Sequence, residues 1–244
     1  MYLTARLCHH DALSSVPGKA HIDHMTTISC AAVLFDLDGV LVDSREVVER
    51  TWRRWAGARG LNLDAILSIA HGRRTTETPR TVAPQLDVAG EAATLSQWEL
   101  GDTEGLRIMP GATAILRQLA ATPYAVVTSG SQALAELRLT HVGLEVPSVL
   151  VTAESVSCGK PDPEGYLIAA NHLGVRRADC LVIEDAPAGI EAGRAAGMRV
   201  LAVATTHEVN VLRAADWIVD DLASVHANGR VNEPCAVTIS EHAV

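Results

Sequence analysis

The sequence predicts an α/β protein: a doubly wound parallel sheet with a small all-helical domain inserted after the first strand. Three observations carry this. Short, near-continuous apolar runs, suited to strands buried on both faces, alternate with helical patterns through the second half of the chain. Residues 45–105 hold helical patterns with no strand of convincing length among them. The 244 residues also suffice for one large domain carrying an insertion. The expected division is an N-terminal extension over 1–24, disordered and outside the fold, a core over 25–44 and 106–225, a helical insertion over 45–105, and a trailing C-terminal tail over 226–244.

The opening strand is Ala31-Ala32-Val33-Leu34-Phe35. It delivers Asp36 and Asp38, two carboxylates two residues apart, and then Gly39, which can turn the backbone sharply. Asp43 or Ser44 can cap a helix in which Val48, Trp52 and Trp55 recur at i, i+4 and i+7, with Gly60 placed to end it. Both tryptophans therefore read as core. Leu63 to Ala70 is helical in pattern and leads into His71-Gly72-Arg73-Arg74-Thr75-Thr76-Glu77, a basic cluster in an acidic chain. Residues 78–105 are helix-compatible but broken by Pro79, Pro84, Gly90 and Gly101. Pro110-Gly111 punctuates the chain before a helical face of Ala112, Ile115, Leu116 and Leu119. Strand-like runs follow at 124–127, 148–151, 181–183, 199–203 and 216–219. Between them Asp162 can cap a helix with Pro163 at its first position, Tyr166, Leu167, Ala170 and Leu173 inward, and Gly174 at its end. Gly189, Gly193 and Gly197 recur every four residues. With Glu191 and Arg194 interleaved, they read as close helix-to-sheet packing rather than a membrane helix pair.

Hydrophobic residues make up 48% of the chain and charged ones 20%, a globular balance. The formal net charge of −9 argues against binding to nucleic acid or an anionic membrane, either of which needs a basic face. No apolar run reaches the ~18 residues that span a bilayer. Arg6, His9, His10 and Asp11 interrupt the N-terminus where a secretion signal needs a continuous apolar stretch. The expectation is a soluble cytoplasmic protein, monomeric or a small homo-oligomer. Cys8, Cys30, Cys158, Cys180 and Cys235 form no C-x-x-C pair and fit reduced packing residues. His21 and His24 have a spacing that could hold a metal, but no second ligand pair lies nearby.

In doubly wound sheets the ligand site forms beyond the carboxyl ends of the strands. Asp36 and Asp38 follow the first strand here, Thr128-Ser129-Gly130-Ser131 the second, Thr152 and then Gly159-Lys160-Pro161 the third, and Glu184-Asp185 the fourth. Asp36 and Asp38 alone could form an acidic turn. They could equally divide labour, one ionised as nucleophile or metal ligand and the other handling protons. Glu184-Asp185 could cap a helix near Pro187, yet adjacent carboxylates at a buried strand end repel, and a cation shared with Asp36 relieves that cost. Oxygen-only donors with room for a phosphate suit Mg²⁺. Lys160 is no P-loop lysine, since Glu154 stands where that motif needs glycine and Pro161 where it needs serine or threonine. His71, Arg73 and Arg74 could be a solvated face, or the cationic help that a carboxylate site needs to attract an anion.

Taken together, Asp36-Leu37-Asp38-Gly39, Thr128-Ser129, Lys160-Pro161 and Glu184-Asp185, in this order, resemble the signature segments of the haloacid dehalogenase superfamily of phosphohydrolases over about residues 31–222. The helical insertion looks like the cap of the subgroup holding the sugar phosphatases and β-phosphoglucomutase. The resemblance implies a Rossmann-like core and a Mg²⁺-dependent phosphatase of small phosphorylated sugars or polyols. It implies Asp36 as nucleophile, giving an aspartyl phosphate, and Asp38 as acid and then base. Thr128 and Lys160 would hold phosphoryl oxygens, with Ser129, Gly130, His71, Gly72, Arg73 and Arg74 on the substrate. Asp36, the main-chain carbonyl of Asp38, and Asp185, supported by Glu184, would hold Mg²⁺. His71-Gly72-Arg73-Arg74-Thr75 is similar to phosphatases of 2-deoxyglucose 6-phosphate and glycerol phosphate. β-Phosphoglucomutases have a histidine where this chain has Val48 and Lys-Gly where it has His71-Gly72. A phosphomutase and a noncatalytic phosphometabolite-binding protein are the alternatives.

Overall fold

A computed structural model describes residues 24–70, 72–229 and 233–241. The elements run β1 (His24–Cys30), β2 (Ala32–Phe35), β3 (Val42–Asp43), α1 (Arg45–Arg59), α2 (Leu63–Ala70), α3 (Glu77–Val82) and α4 (Val88–Leu100). Then come β4 (Arg107–Ile108), α5 (Ala112–Gln118), β5 (Tyr124–Val127), α6 (Gln132–His141), β6 (Leu150–Val151) and α7 (Glu164–Leu173). The chain continues with β7 (Cys180–Glu184), α8 (Pro187–Ala195), β8 (Arg199–Val203), β9 (Trp217–Val219), β10 (Val225–Asn228) and β11 (Cys235–Glu241).

Six strands form one parallel sheet in the order β6-β5-β2-β7-β8-β9. Its strands are largely apolar because both faces are covered, and the two-residue period sorts their side chains. Val33, Phe35, Val126, Leu181, Ile183, Leu201 and Val203 join one core with Ile115 of α5 and Leu139 of α6. Ala32, Leu34, Ala125, Val127, Val182, Val200 and Ala202 join the other, with Tyr166 of α7 and Ile190 of α8. Gly193 belongs to this second layer. A Cβ there would lie 2.9 Å from Val200 and 3.3 Å from Val182, so Gly193 sets how closely α8 lies on the sheet, whereas Gly197 lies beyond the helix at φ +74° and Gly189 faces Glu184.

Helices α1 to α4 leave the core and return to it through the antiparallel pair β3–β4. They enclose a separate apolar cluster of Trp52, Trp55, Ile66 and Leu95, in which the two indoles meet edge-on at 5.6 Å. The Trp55 Nε1–H donates to Glu91 at 2.6 Å, and Arg59 closes on the same carboxylate at 2.8 Å. Gly60 ends α1 at φ +63°.

Three expectations meet a different outcome. Residues 226–244, expected to trail, include most of β10 and all of β11. β11 pairs antiparallel with β1 from Cys30↔Cys235 to His24↔Glu241, and with β10, to make a second, three-stranded sheet. Alternation drives it: Cys235, Val237 and Ile239 point into the core that Ile28 and Val225 share, while their neighbours face outward. The strand expected over 148–151 is limited to Leu150–Val151. Ser44 occupies the N-cap position of α1 without capping it by its side chain; its hydroxyl goes to Asp38, and Asp43 accepts the Arg45 N–H at 3.2 Å instead. The expected extension lies outside the described residues except for His24, which opens β1.

Candidate active site

Four neighbouring strands end on one rim. β2 delivers Asp36, β5 Thr128, β7 Glu184 and Asp185, and the loop after β6 brings Lys160 back across β5. The Lys160 ammonium is 6% exposed and donates to Asp36 Oδ1 at 2.5 Å, to Glu184 Oε1 at 2.6 Å and to the Val127 carbonyl at 3.0 Å. Burial alone would discharge this lysine, but Asp36 and Glu184 outweigh burial and hold its pKa well above the ordinary value.

Glu184 is fully engaged. Its Oε1 also accepts the Tyr166 hydroxyl at 2.9 Å, and its Oε2 accepts the backbone N–H groups of Asp185 at 2.9 Å and Ala186 at 3.2 Å. It anchors Lys160, and Gly189 makes room for it: a Cβ there would lie 1.6 Å from Glu184 Oε1. Gly39 meets a similar demand, with φ +83° and a position where a Cβ would fall 2.1 Å from Asp185 Oδ2.

Carboxylate oxygens of Asp36, Glu184 and Asp185 lie within 4.8 Å of one another, all buried. Burial lifts the Asp36 pKa to about 8 despite Lys160, and burial, then Glu184 and Asp36, lift that of Asp185 well above its usual value. The Thr206 hydroxyl donates to Asp185 Oδ2. Three buried carboxylates against one ammonium are a donor set of hard oxygens short of positive charge, and that chemistry fits Mg²⁺. Asp36 and Asp185 keep oxygens for it, while Glu184 does not.

Asp38 stands apart from this trio. Its Oδ1 accepts Ser44 Oγ at 2.7 Å and Arg138 Nη1 at 2.7 Å. The Thr128 hydroxyl oxygen accepts the Gly130 N–H at 3.0 Å, which leaves its own proton to donate outward. Asp36, Asp38, Thr128, Ser129, Gly130 and Asp185 share a cavity of about 80 Å³. The helical insertion closes it with Arg45, Val48, Trp52, Gly72, Arg73 and Thr75. Of the basic cluster, Gly72, Arg73 and Thr75 reach this cavity, and the Gly72 carbonyl takes the Ser129 hydroxyl at 2.9 Å. Arg74 turns away, paired with Glu77 at 2.7 Å and donating to the Ser157 carbonyl at 3.3 Å. His71 lies outside the described residues. Sequence reasoning missed Ser44 as a partner of Asp38, Tyr166 as a partner of Glu184, Thr206, Glu99 and Arg138. For the last two a signal existed, because Arg138 falls in phase with Leu134 and Ala135 and Glu99 in phase with Ala92 and Leu95.

Residues 30–197 match the family of haloacid dehalogenase-like hydrolases. The chain belongs to that family. It is 40% identical over 208 residues to hexitol phosphatase A of Escherichia coli, covering 83% of this chain and 96% of that one. It is 33% identical to glycerol-1-phosphate phosphohydrolase 2 of Saccharomyces cerevisiae, covering 81% and 85%. A hydrolase of Pseudomonas syringae shares the fold with a TM-score of 0.72 at 24% identity, covering 79% of this chain and 94% of that one.

Proposed function

We propose that the protein is a Mg²⁺-dependent phosphomonoester hydrolase of small phosphorylated sugars or polyols, working through a phosphoaspartate at Asp36. One observation carries the reading: Lys160 ties Asp36 to Glu184 inside a buried carboxylate trio, so a single oxygen of Asp36 is pinned and the other is free beside the cavity. That free oxygen attacks phosphorus. The P–O bond to the alcohol breaks, its electron pair goes to the leaving oxygen, and Asp38 supplies the proton. Water then attacks phosphorus, gives a proton to Asp38, and the P–O bond to Asp36 breaks with its electron pair returning to the carboxylate. Thr128 Oγ1–H and the Lys160 ammonium stabilise charge on the phosphoryl oxygens, where positioning and neutralisation matter most.

Asp36 and Asp185, with the main-chain carbonyl of Asp38, would hold Mg²⁺, and Glu184 would act through Lys160. Bound there, the metal supplies charge neutralisation for a dianionic phosphoryl group.

The hexitol and glycerol phosphatases among the relatives support sugar and polyol phosphates as the substrate class. Helices α1 to α4 act as the cap whose seating excludes water, and Arg73 with Gly72 and Thr75 meets the substrate's distal end. The expected partner is a small phosphorylated metabolite, with the cytoplasm as the site of action.

The test is inorganic phosphate release from a panel of hexitol, hexose, glycerol and deoxysugar phosphates. Release is expected with Mg²⁺ and is expected to vanish with EDTA or Asp36→Asn. Undiminished release by Asp36→Asn would exclude the mechanism, and conversion of β-glucose 1-phosphate into glucose 6-phosphate without phosphate release would favour a mutase.

A further inference from the structure

Arg138 is a charge in an unusual place. It lies on α6, is 3% exposed, and shares its helical face with Leu134, Ala135 and Leu139. Its guanidinium splits between two carboxylates. Nη1 meets Asp38 Oδ1 at 2.7 Å, and Nη2 meets Glu99 Oε1 at 3.2 Å. Glu99 is buried as well, in the last turn of α4, and so belongs to the inserted helices and not to the sheet-bearing core. Neither Arg138 nor Glu99 is needed to hold the phosphoryl group, yet both line the same cavity as Asp36.

Burying Arg138 and Glu99, with Asp38 only partly shielded, is costly unless the geometry is put to use. Here both anchors of Asp38, Ser44 and Arg138, fall on Oδ1. The carboxylate cannot rotate without breaking a hydrogen bond and an ion pair, and both anchors leave its Oδ2 unengaged.

We infer that Arg138 is a positioning residue for Asp38, and that Glu99 buttresses it from the cap. The inference rests on the acid–base role proposed for Asp38. In the first half-reaction the breaking P–O bond leaves its electron pair on the alcohol oxygen, and the proton on Oδ2 moves to that oxygen. A free carboxylate samples orientations in which this transfer fails, whereas one held at Oδ1 does not. Because the buttress comes from α4, the orientation of Asp38 is linked to the seating of the inserted helices.

The test separates leaving groups under single-turnover conditions with enzyme in excess and Mg²⁺ present, so that only the first half-reaction is read. Acetyl phosphate expels acetate, which needs no proton. Glycerol 1-phosphate expels an alkoxide, which does. Arg138→Met is expected to slow the glycerol 1-phosphate step by about 10²-fold, within the range of positioned acid–base groups, with KM within threefold of wild type. Its acetyl phosphate step is expected to fall by less than about fivefold on the same grounds. Arg138→Lys should recover part of the loss, and Glu99→Gln should show the same selectivity at about 10-fold.

Asp38→Asn is measured on the same two substrates, and Asp38→Asn/Arg138→Met should be no slower than Asp38→Asn alone, as for residues acting through one another. Equal losses on both substrates in Arg138→Lys and Glu99→Gln, or a raised KM at unchanged kcat, overturn the positioning role while Asp38→Asn remains selective. An Asp38→Asn variant that does not discriminate overturns the acid–base reading itself. Should Arg138→Met fail to fold, the Lys and Gln variants carry the same test.

Discussion

Replacing Gly189 with alanine tests whether Glu184 is held as tightly as its contacts imply. The new Cβ would sit 1.6 Å from Glu184 Oε1 and 1.9 Å from its carboxyl carbon. Ordinary contact needs about 3.4 Å or more, so the carboxylate must retreat by roughly 1.5–2 Å. A flexible surface glutamate would do so freely. Glu184 is 1% exposed and accepts four hydrogen bonds, from Lys160, Tyr166 and two backbone N–H groups. Such a shift uncouples a buried ion pair, which costs about 3–5 kcal/mol. For a chain of this size that corresponds to a fall in Tm of roughly 6–20 °C. Activity should fall with it, since Lys160 loses the anchor that holds it against Asp36. Gly57→Ala is the control: nothing lies within 4 Å of its added Cβ, and alanine in an exposed helical position should raise stability by about 0.5–1 kcal/mol. Thermal melts by circular dichroism and phosphate-release assays read both variants. A Gly189→Ala protein melting within 2 °C of wild type with normal turnover would refute the claim that Glu184 organises the site.

Further outcomes follow from the same contacts. Lys160→Met leaves Asp36 and Glu184 buried without their cation, so stability should drop by about 3–5 kcal/mol, and kcat should collapse with it; a denaturant midpoint unchanged from wild type would contradict this. In the metal-free protein burial raises Asp36 from 3.8 to about 8, so its contribution to stability is fully present below about pH 3.8 and is lost as the pH rises through about 8. Mg²⁺ competes with that proton, so the rise in Tm on adding Mg²⁺ should grow between pH 5 and 8, and a flat increment would count against Asp36 as a ligand. Ile239→Ala should cost about 2–5 kcal/mol, because Ile239 is fully buried in β11; a neutral effect in urea melts would mean that the C-terminal strand contributes nothing.

The parts legible in the sequence are those whose signal is local. Asp36, Thr128 and the Glu184-Asp185 pair each stand at or just beyond the end of a parallel strand, and Lys160 in the loop that follows one, where apolar runs mark the strand and topology dictates convergence. The network around Asp38 is different. Arg138 and Glu99 come from helices 39 residues apart in sequence, and a charge in a helix ordinarily reads as solvent-facing. Only their phase with Leu134 and Leu139, and with Ala92 and Leu95, marks them as inward. β11 was missed for a related reason. The alternation of Cys235, Val237 and Ile239 is clear once noticed, but its partner β1 lies some two hundred residues earlier, and nothing nearby in the chain announces the pairing. Arg74 shows the limit in the other direction, since proximity to Arg73 says nothing about which side of a loop a side chain takes.

The central claim, that Asp36 carries the phosphoryl group, is open to direct observation. Enzyme mixed with hexitol or glycerol phosphate and Mg²⁺, quenched in acid and reduced with borohydride, should carry homoserine at position 36, located by peptide mass spectrometry. The signal should be lost with EDTA and in Asp36→Asn. Phosphate release with an unmodified Asp36, or a label on any other residue, would contradict the account.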